Sequence, residues 1–452
     1  MATNDPFELT ASEARAQIDR GHLSPVELAE SCLSRIEALD STIHAWAYVD
    51  TAGATEAARR AEEELKQQGP KSPLHGIPIG IKDIYRTAGV PTEMGSKSWA
   101  GYVPDYDCTV VSKLKGAGVV VLGKTVTTEF AVLQPSPTLN PWNTAHTPGG
   151  SSSGSGASVA ARMTPLAIGS QTGGSVLRPA AYNGVVGLKA TLGRISCYGV
   201  LPISHIMDHP GTFTRSVEDA ADLLAIIAGY DPLDVYTVDV PVPDYRASLE
   251  RQQSPPRIGL ARGFFFDNAD EEMRRHTEEM AQRLAKAGAI IEEVDIPESL
   301  AAVRTFHKVI MDTDAATVHK ETYATRKDDI GPKTQEIIQH GLETTGYEYS
   351  MALQYRQQLI AELVPVVRSF DALLTPCIPA PAPDLSTTGN MIMQVPWSIT
   401  GLPSLGLPTG LSDGGLPLAI QLITGPWQEE QLFAVGRWCE QALDTTWRPP
   451  LD

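Results

Sequence analysis

Apolar positions in residues 10–39 recur at helical spacing in two blocks parted by Gly21-His22-Leu23, a pattern that predicts two amphipathic helices. The second block opens on Ser24-Pro25-Val26-Glu27, which supplies an N-cap, a proline at the first helical position and an acidic first turn. An Ala- and Glu-rich stretch from about Gly53 to Gln68 predicts a third helix and completes an N-terminal helical segment over about 7–68. Short β-type runs follow. Ile77-Pro78-Ile79-Gly80-Ile81 ends at Lys82-Asp83, and Val119-Val120-Val121-Leu122 is bounded by Gly118 and Gly123, with a short helix predicted between them at about 108–115.

Downstream of a Gly- and Ser-rich stretch, Gly184-Val185-Val186-Gly187-Leu188-Lys189 resumes the strand character, and residues 216–229 read as a helix with one apolar face. A Pro-rich stretch, 240–256, leads into a more charged, variable helical region over about 250–370. Residues from Pro376 to Pro408 are loop-rich; a strand over Leu416–Leu422 and a helix at 428–443 close the chain. No internal repeat is present. Strands alternating with helices predict an α/β fold, a sheet covered by helices on both faces.

The length of 452 residues suggests two or three domains on size alone. A formal net charge of −18 excludes general affinity for nucleic-acid backbones or anionic membranes. The five cysteines are scattered with no CxxC pair, so neither a disulfide framework nor a thiolate zinc site is indicated. The N-terminus lacks a basic region followed by an apolar one, and no apolar run reaches spanning length, so the expectation is a cytoplasmic protein without membrane contact.

Candidate chemistry gathers in two glycine-rich segments. Gly149-Gly150-Ser151-Ser152-Ser153-Gly154-Ser155-Gly156 has the composition of a flexible linker but runs directly into a helical sequence. It also fits G-x-S-x-G, which would make Ser152 the nucleophile of an elbow. That arrangement needs a histidine late in the chain, and none lies near the C-terminal end. The second segment is Gln171-Thr172-Gly173-Gly174-Ser175-Val176-Leu177-Arg178. Adjacent glycines there could aim successive N–H groups at one point, as an oxyanion hole requires, or simply form a tight turn.

Taken with Lys82 at the end of an apolar strand, these segments resemble the amidase signature family. Ser151 and Ser175 are twenty-four positions apart, as the family spaces its bridging serine and its nucleophile. His75-Gly76-Ile77-Pro78, Thr128-Glu129-Phe130-Ala131, Asn140-Pro141-Trp142-Asn143 and Gly187-Leu188-Lys189 are also similar to family segments, as is Leu416-Pro417 to Gln421; the likeness is weakest over about 235–370. The resemblance implies one domain over 1–452 built on a large central mixed sheet. It further implies a Ser–cisSer–Lys triad: Ser175 as nucleophile, Ser151 as relay after a cis peptide bond, and Lys82 as base. Backbone N–H groups of Thr172, Gly173, Gly174 and Ser175 would form the oxyanion hole, with no metal and no cofactor. The implied activity is amide hydrolysis, or alternatively that of the glutaminase subunit of a tRNA-dependent amidotransferase.

Physics then makes a demand. A free lysine has a pKa near 10.4, so a lysine base working near neutrality must be desolvated, and strand alternation must turn Asp83 away from it. Two positions depart from the commonest family form: Gln171 stands where Asp is frequent and Leu177 where Arg is frequent. The first removes a charged brace from the turn. The second removes a cation, which favours a neutral amide, ester or carbamate (urethane) as substrate, with a homodimer as a possible assembly. Arg178 is expected to be structural and to pair with a carboxylate. The loop after Thr128 and the 300–345 region are expected to line the substrate pocket, with Met391, Met393 and Trp397 as core.

Overall fold

The computed structural model describes residues 5–250, 254–444 and 446–451. Its frame is one sheet of eleven strands, in chain order β1 (Trp46–Val49), β2 (Pro78–Lys82), β3 (Val120–Thr125), β4 (Leu166–Gln171), β5 (Val186–Lys189), β6 (His209–Thr214), β7 (Arg257–Ala261), β8 (Ile290–Val294), β9 (Ala372–Pro376), β10 (Ser404–Leu411) and β11 (Pro417–Ile423). The spatial order is β1-β3-β2-β4-β6-β5-β10-β11-β9-β7-β8. β3, β2 and β4 run parallel to one another, as do β8, β7 and β9, while antiparallel pairs join the rest. The sheet is therefore mixed. Every residue of β2, β4, β5, β6, β9 and β11 is buried. Since successive side chains point to opposite faces, both faces must be covered.

The N-terminal helices form Ala11–Asp19, Pro25–Ile43 and Thr51–Gln68. Ser24 and Glu27 close a reciprocal capping box at the start of the second helix, which satisfies two otherwise orphan backbone donors. The helices expected at 108–115, 216–229 and 428–443 are Thr109–Gly116, Val217–Ile227 and Glu429–Leu443. Among the described residues no helix is long and apolar enough to cross a membrane.

Two expectations need correction. The region over 250–370 is not only helical: it also supplies β7 and the edge strand β8. Their short runs, Arg257-Ile258-Gly259-Leu260-Ala261 and Ile290-Ile291-Glu292-Glu293-Val294, sit among longer helical sequences and gain strand pairing only through β9. Nor does Gly123 end its strand, which continues through Lys124 and Thr125. Gly123, at φ +151°, sits where the β2–β3 register shifts, a bulge that glycine accommodates.

Candidate active site

β2 delivers Lys82 to the site, and neither it nor any other residue of the strand is exposed. Its Nζ donates to Ser151 Oγ at 2.7 Å and to Ser170 Oγ at 2.9 Å. Burial holds the Lys82 pKa well below the ordinary lysine value, against a smaller opposing pull from the Asp208 carboxylate. Asp83 is turned away as alternation requires. Its carboxylate lies 3.3 Å from Lys124 Nζ on β3 and accepts from Glu93 N at 3.0 Å. Lys82 is therefore left without a salt-bridge partner among the described residues.

Ser151 precedes the helix Ser153–Ala160, and the Gly150–Ser151 peptide is cis. Ser151 O accepts from Thr128 N at 3.0 Å, and Gly150 O accepts from the Arg178 guanidinium. The Gly/Ser segment is no linker. A Cβ at Gly154 would collide with the backbone at Ala45 O and Val126 N, so glycine is what lets the helix approach the chain just before β1 and just after β3. Ser152 is fully buried, its hydroxyl 3.3 Å from both Ser170 N and Ser170 O. An elbow nucleophile must be exposed, and this one is spent on backbone.

The turn after β4 is braced on its outer side. Gln171 Oε1 accepts from Val176 N at 2.9 Å and Leu177 N at 3.0 Å, the first donors of the helix Leu177–Asn183. Gln171 Nε2 donates to Ser398 Oγ at 3.0 Å, and that hydroxyl donates to Gly173 O at 2.6 Å. A neutral amide thus does the bracing for which a charged residue was missing. Thr172 Oγ1 donates to Asp208, whose other oxygen accepts from Ile203 N and Ser204 N; burial lifts the Asp208 pKa to about 6. Ser175 is half-buried, and among the described residues its hydroxyl has no hydrogen-bond partner. The fold brings Lys82 and Ser151 into direct contact, then, and puts Ser175 five residues beyond Ser170 on the braced turn.

Leu177 is fully buried in the main core. Arg178 is structural, but the expected carboxylate is replaced by oxygens of two loops: Gly150 O, Gly389 O and Thr388 Oγ1. Carbonyl dipoles solvate the guanidinium in place of an anion. Beside this turn opens a cleft of about 830 Å³ whose walls include Leu133, Arg304, Lys308, Lys333, Glu336 and Met391. The loop after Thr128 and the 300–345 region contribute to its walls, and so does Met391, which was expected in the core. Met393 and Trp397 are fully buried core residues, Trp397 stacked on Phe265 at 5.3 Å. Sequence reasoning missed Ser170, Asp208 and Ser398. Only Ser170 carried a signal, as a hydroxyl two residues beyond Ile168, which pairs with Ile81 beside Lys82.

A family model described as Amidase matches residues 27–433. The chain belongs to the amidase signature family. Among curated members it is similar to a Glutamyl-tRNA(Gln) amidotransferase subunit of Myxococcus xanthus, with 35% identity over 97% of this chain and 98% of that one. The corresponding subunit of the Chloroflexus aggregans amidotransferase is also 35% identical, over 98% of each chain. Among solved structures, a complex described as revealing the evolutionary origins of an s-triazine catabolic enzyme superposes with TM-score 0.92 at 29% identity, covering 98% of this chain and 100% of that one. A 6-aminohexanoate cyclic dimer hydrolase gives 0.89 at 26% identity, covering 98% and 99%. The peptide amidase of Stenotrophomonas maltophilia gives 0.86 at 30% identity, again covering 98% and 99%.

Proposed function

We propose that the chain hydrolyses the C–N bond of uncharged amides through an acyl-enzyme on Ser175, with aryl esters and carbamates entering the same site. The observation that carries this reading is the Lys82 amine, buried, its pKa lowered by desolvation, and 2.7 Å from the Ser151 hydroxyl. A hydroxyl donates one hydrogen bond while accepting others, so Ser151 passes the proton of Ser175 to Lys82 as Ser175 Oγ attacks the carbonyl carbon. Catalytic hydrogen bonds tighten when substrate arrives, which brings the free Ser175 hydroxyl onto Ser151. The N–H groups of Thr172, Gly173, Gly174 and Ser175 take the oxyanion. On collapse, the proton returns through Ser151 to the leaving amine; water then releases the acyl group by the same relay.

The preference for uncharged substrates rests on two side chains. Leu177 is in the core, and the Arg178 guanidinium is occupied by three protein oxygens, so the turn itself offers no free cation to a substrate carboxylate; the cations of the cleft wall stand on other elements, Arg304 and Lys308 on the helix Val303–Arg326 and Lys333 on Pro332–Glu343. The curated amidotransferase relatives favour a second reading, in which the chain is a glutaminase that works with partner subunits. Turnover of glutamine against a neutral aryl anilide by the purified chain separates the two. We expect kcat/KM for the anilide to exceed that for glutamine by about 100-fold or more, the scale on which a buried site rejects an unpaired charge. The reverse ratio would move the assignment to the second reading.

A further inference from the structure

We propose that His307 is a positioning residue for the oxyanion turn, its ring N–H holding the Thr172 carbonyl so that the Gly173 N–H faces the reacting centre. This rests on the acyl-enzyme reading of Ser175. His307 projects from the long helix Val303–Arg326, in a region that carries no family motif, and is fully buried. Its Nε2 lies 3.0 Å from Thr172 O. A carbonyl only accepts, so Nε2 carries the proton and Nδ1 is bare.

Nδ1 is buried and has no partner among the described residues. A leucine or methionine would fill this space without an unpaired nitrogen, which leaves the Nε2–H bond as what the imidazole supplies. Burial lowers the ring's pKa to about 4, so the donor is neutral and adds no charge beside the turn. In a planar trans peptide the C=O and the following N–H point in opposite directions. Holding Thr172 O on the outside therefore fixes the aim of Gly173 N–H. Ser398 does the same one residue on, donating to Gly173 O at 2.6 Å and so setting Gly174 N–H. Glycine at 173 has no side chain to steady its own backbone, and the His307 ring, its Cε1 3.3 Å from where a Cβ would stand, closes over it. A helix outside the family motifs thus sets the geometry of a turn inside them.

The test uses the full chain, a neutral para-nitroanilide as substrate and phenylboronic acid as a tetrahedral mimic. His307→Leu is expected to lower kcat about 10- to 100-fold, less than outright loss of an oxyanion donor. KM should stay within about twofold, and boronate affinity should fall by the same factor as kcat. His307→Gln, whose amide nitrogen reaches near the Nε2 position, should recover activity to within about fivefold of the parent, whereas the shorter His307→Asn should not. If His307→Leu does not fold, the Gln and Asn variants decide. Equal kcat for those two, parent-like kcat and boronate affinity in His307→Leu, or a rise in KM with kcat unchanged would each overturn the proposal. Ser175→Ala is assayed alongside. If it remains active the acyl-enzyme reading has failed, whereas an inactive Ser175→Ala beside a parent-like His307→Leu rejects the clamp alone.

Discussion

Replacing Gln171 by leucine, close to it in size, removes the neutral brace and little else. Its Oε1 receives the backbone N–H groups of Val176 and Leu177, and its Nε2 positions the Ser398 hydroxyl that holds Gly173 O. All these groups are buried, so the two N–H donors would be left without water to turn to. At about 1–3 kcal/mol for each buried unsatisfied group, Gln171→Leu should cost about 4 kcal/mol of stability. An unfolding entropy of about 2.1 cal/mol/K per residue over 452 residues gives about 1 kcal/mol per degree. Melting should therefore fall by about 4 °C. The kinetic effect should be larger. In the proposed mechanism the same bonds aim the oxyanion donors, and losing one such donor costs about 10²–10³ in kcat, so kcat should drop about 100-fold with KM little changed. Steady-state kinetics on a neutral anilide and differential scanning calorimetry on the same preparation read both quantities. A variant with parent kcat and an unchanged melting temperature would refute this account of the turn.

Further expectations address the remaining parts of the site. Gly154→Ala forces a Cβ into Ala45 O and Val126 N, where backbone cannot step aside, and should destabilise by about 2–3 kcal/mol in chemical denaturation. Arg178→Met deprives Gly150 O, Gly389 O and Thr388 Oγ1 of their donor; kcat should fall about tenfold as the residue before Ser151 loosens, with partial recovery in Arg178→Lys. In the proposed mechanism Lys82 acts as the free amine, and its pKa lies well below the ordinary value, so kcat/KM should rise with pH through that lowered pKa and then level off. Its linkage has the same sign. Between the lowered folded pKa and about 10.4 the unfolded chain binds this proton more fully than the folded chain, so the parent loses stability as pH falls through that window. Melting curves of Lys82→Met should run above the parent by a margin that widens as pH falls from 10 towards 7; a constant margin would contradict a lowered Lys82 pKa.

Much of the site was legible because local rules act over short stretches. Period-two alternation sent Asp83 to Lys124 and left Lys82 on the other face. The Ser24 and Glu27 box began one helix where its residues said it would, and the first glycine-rich segment holds Ser151, which Lys82 contacts. What was not legible depends on contacts between distant parts of the chain. Ser398 reaches Gln171 and Gly173 across more than two hundred residues, and nothing around Trp397-Ser398-Ile399 marks that hydroxyl as a brace. Arg178 illustrates the same limit. Composition suggests that a buried guanidinium seeks a carboxylate, yet folding laid main-chain carbonyls of two loops against it. β7 and β8 were hidden because five-residue runs inside a helical region become strands only when β9 offers an edge.

The central claim is that Ser175 becomes acylated. Rapid quenching during turnover of a slow aryl carbamate, followed by peptide mass spectrometry, reads it directly. The expected result is one carbamoyl group on the peptide containing Ser175, formed at the rate of the initial burst and absent from Ser175→Ala, which should also lose turnover. A label on Ser152 instead, or sustained hydrolysis by Ser175→Ala, would contradict the mechanism.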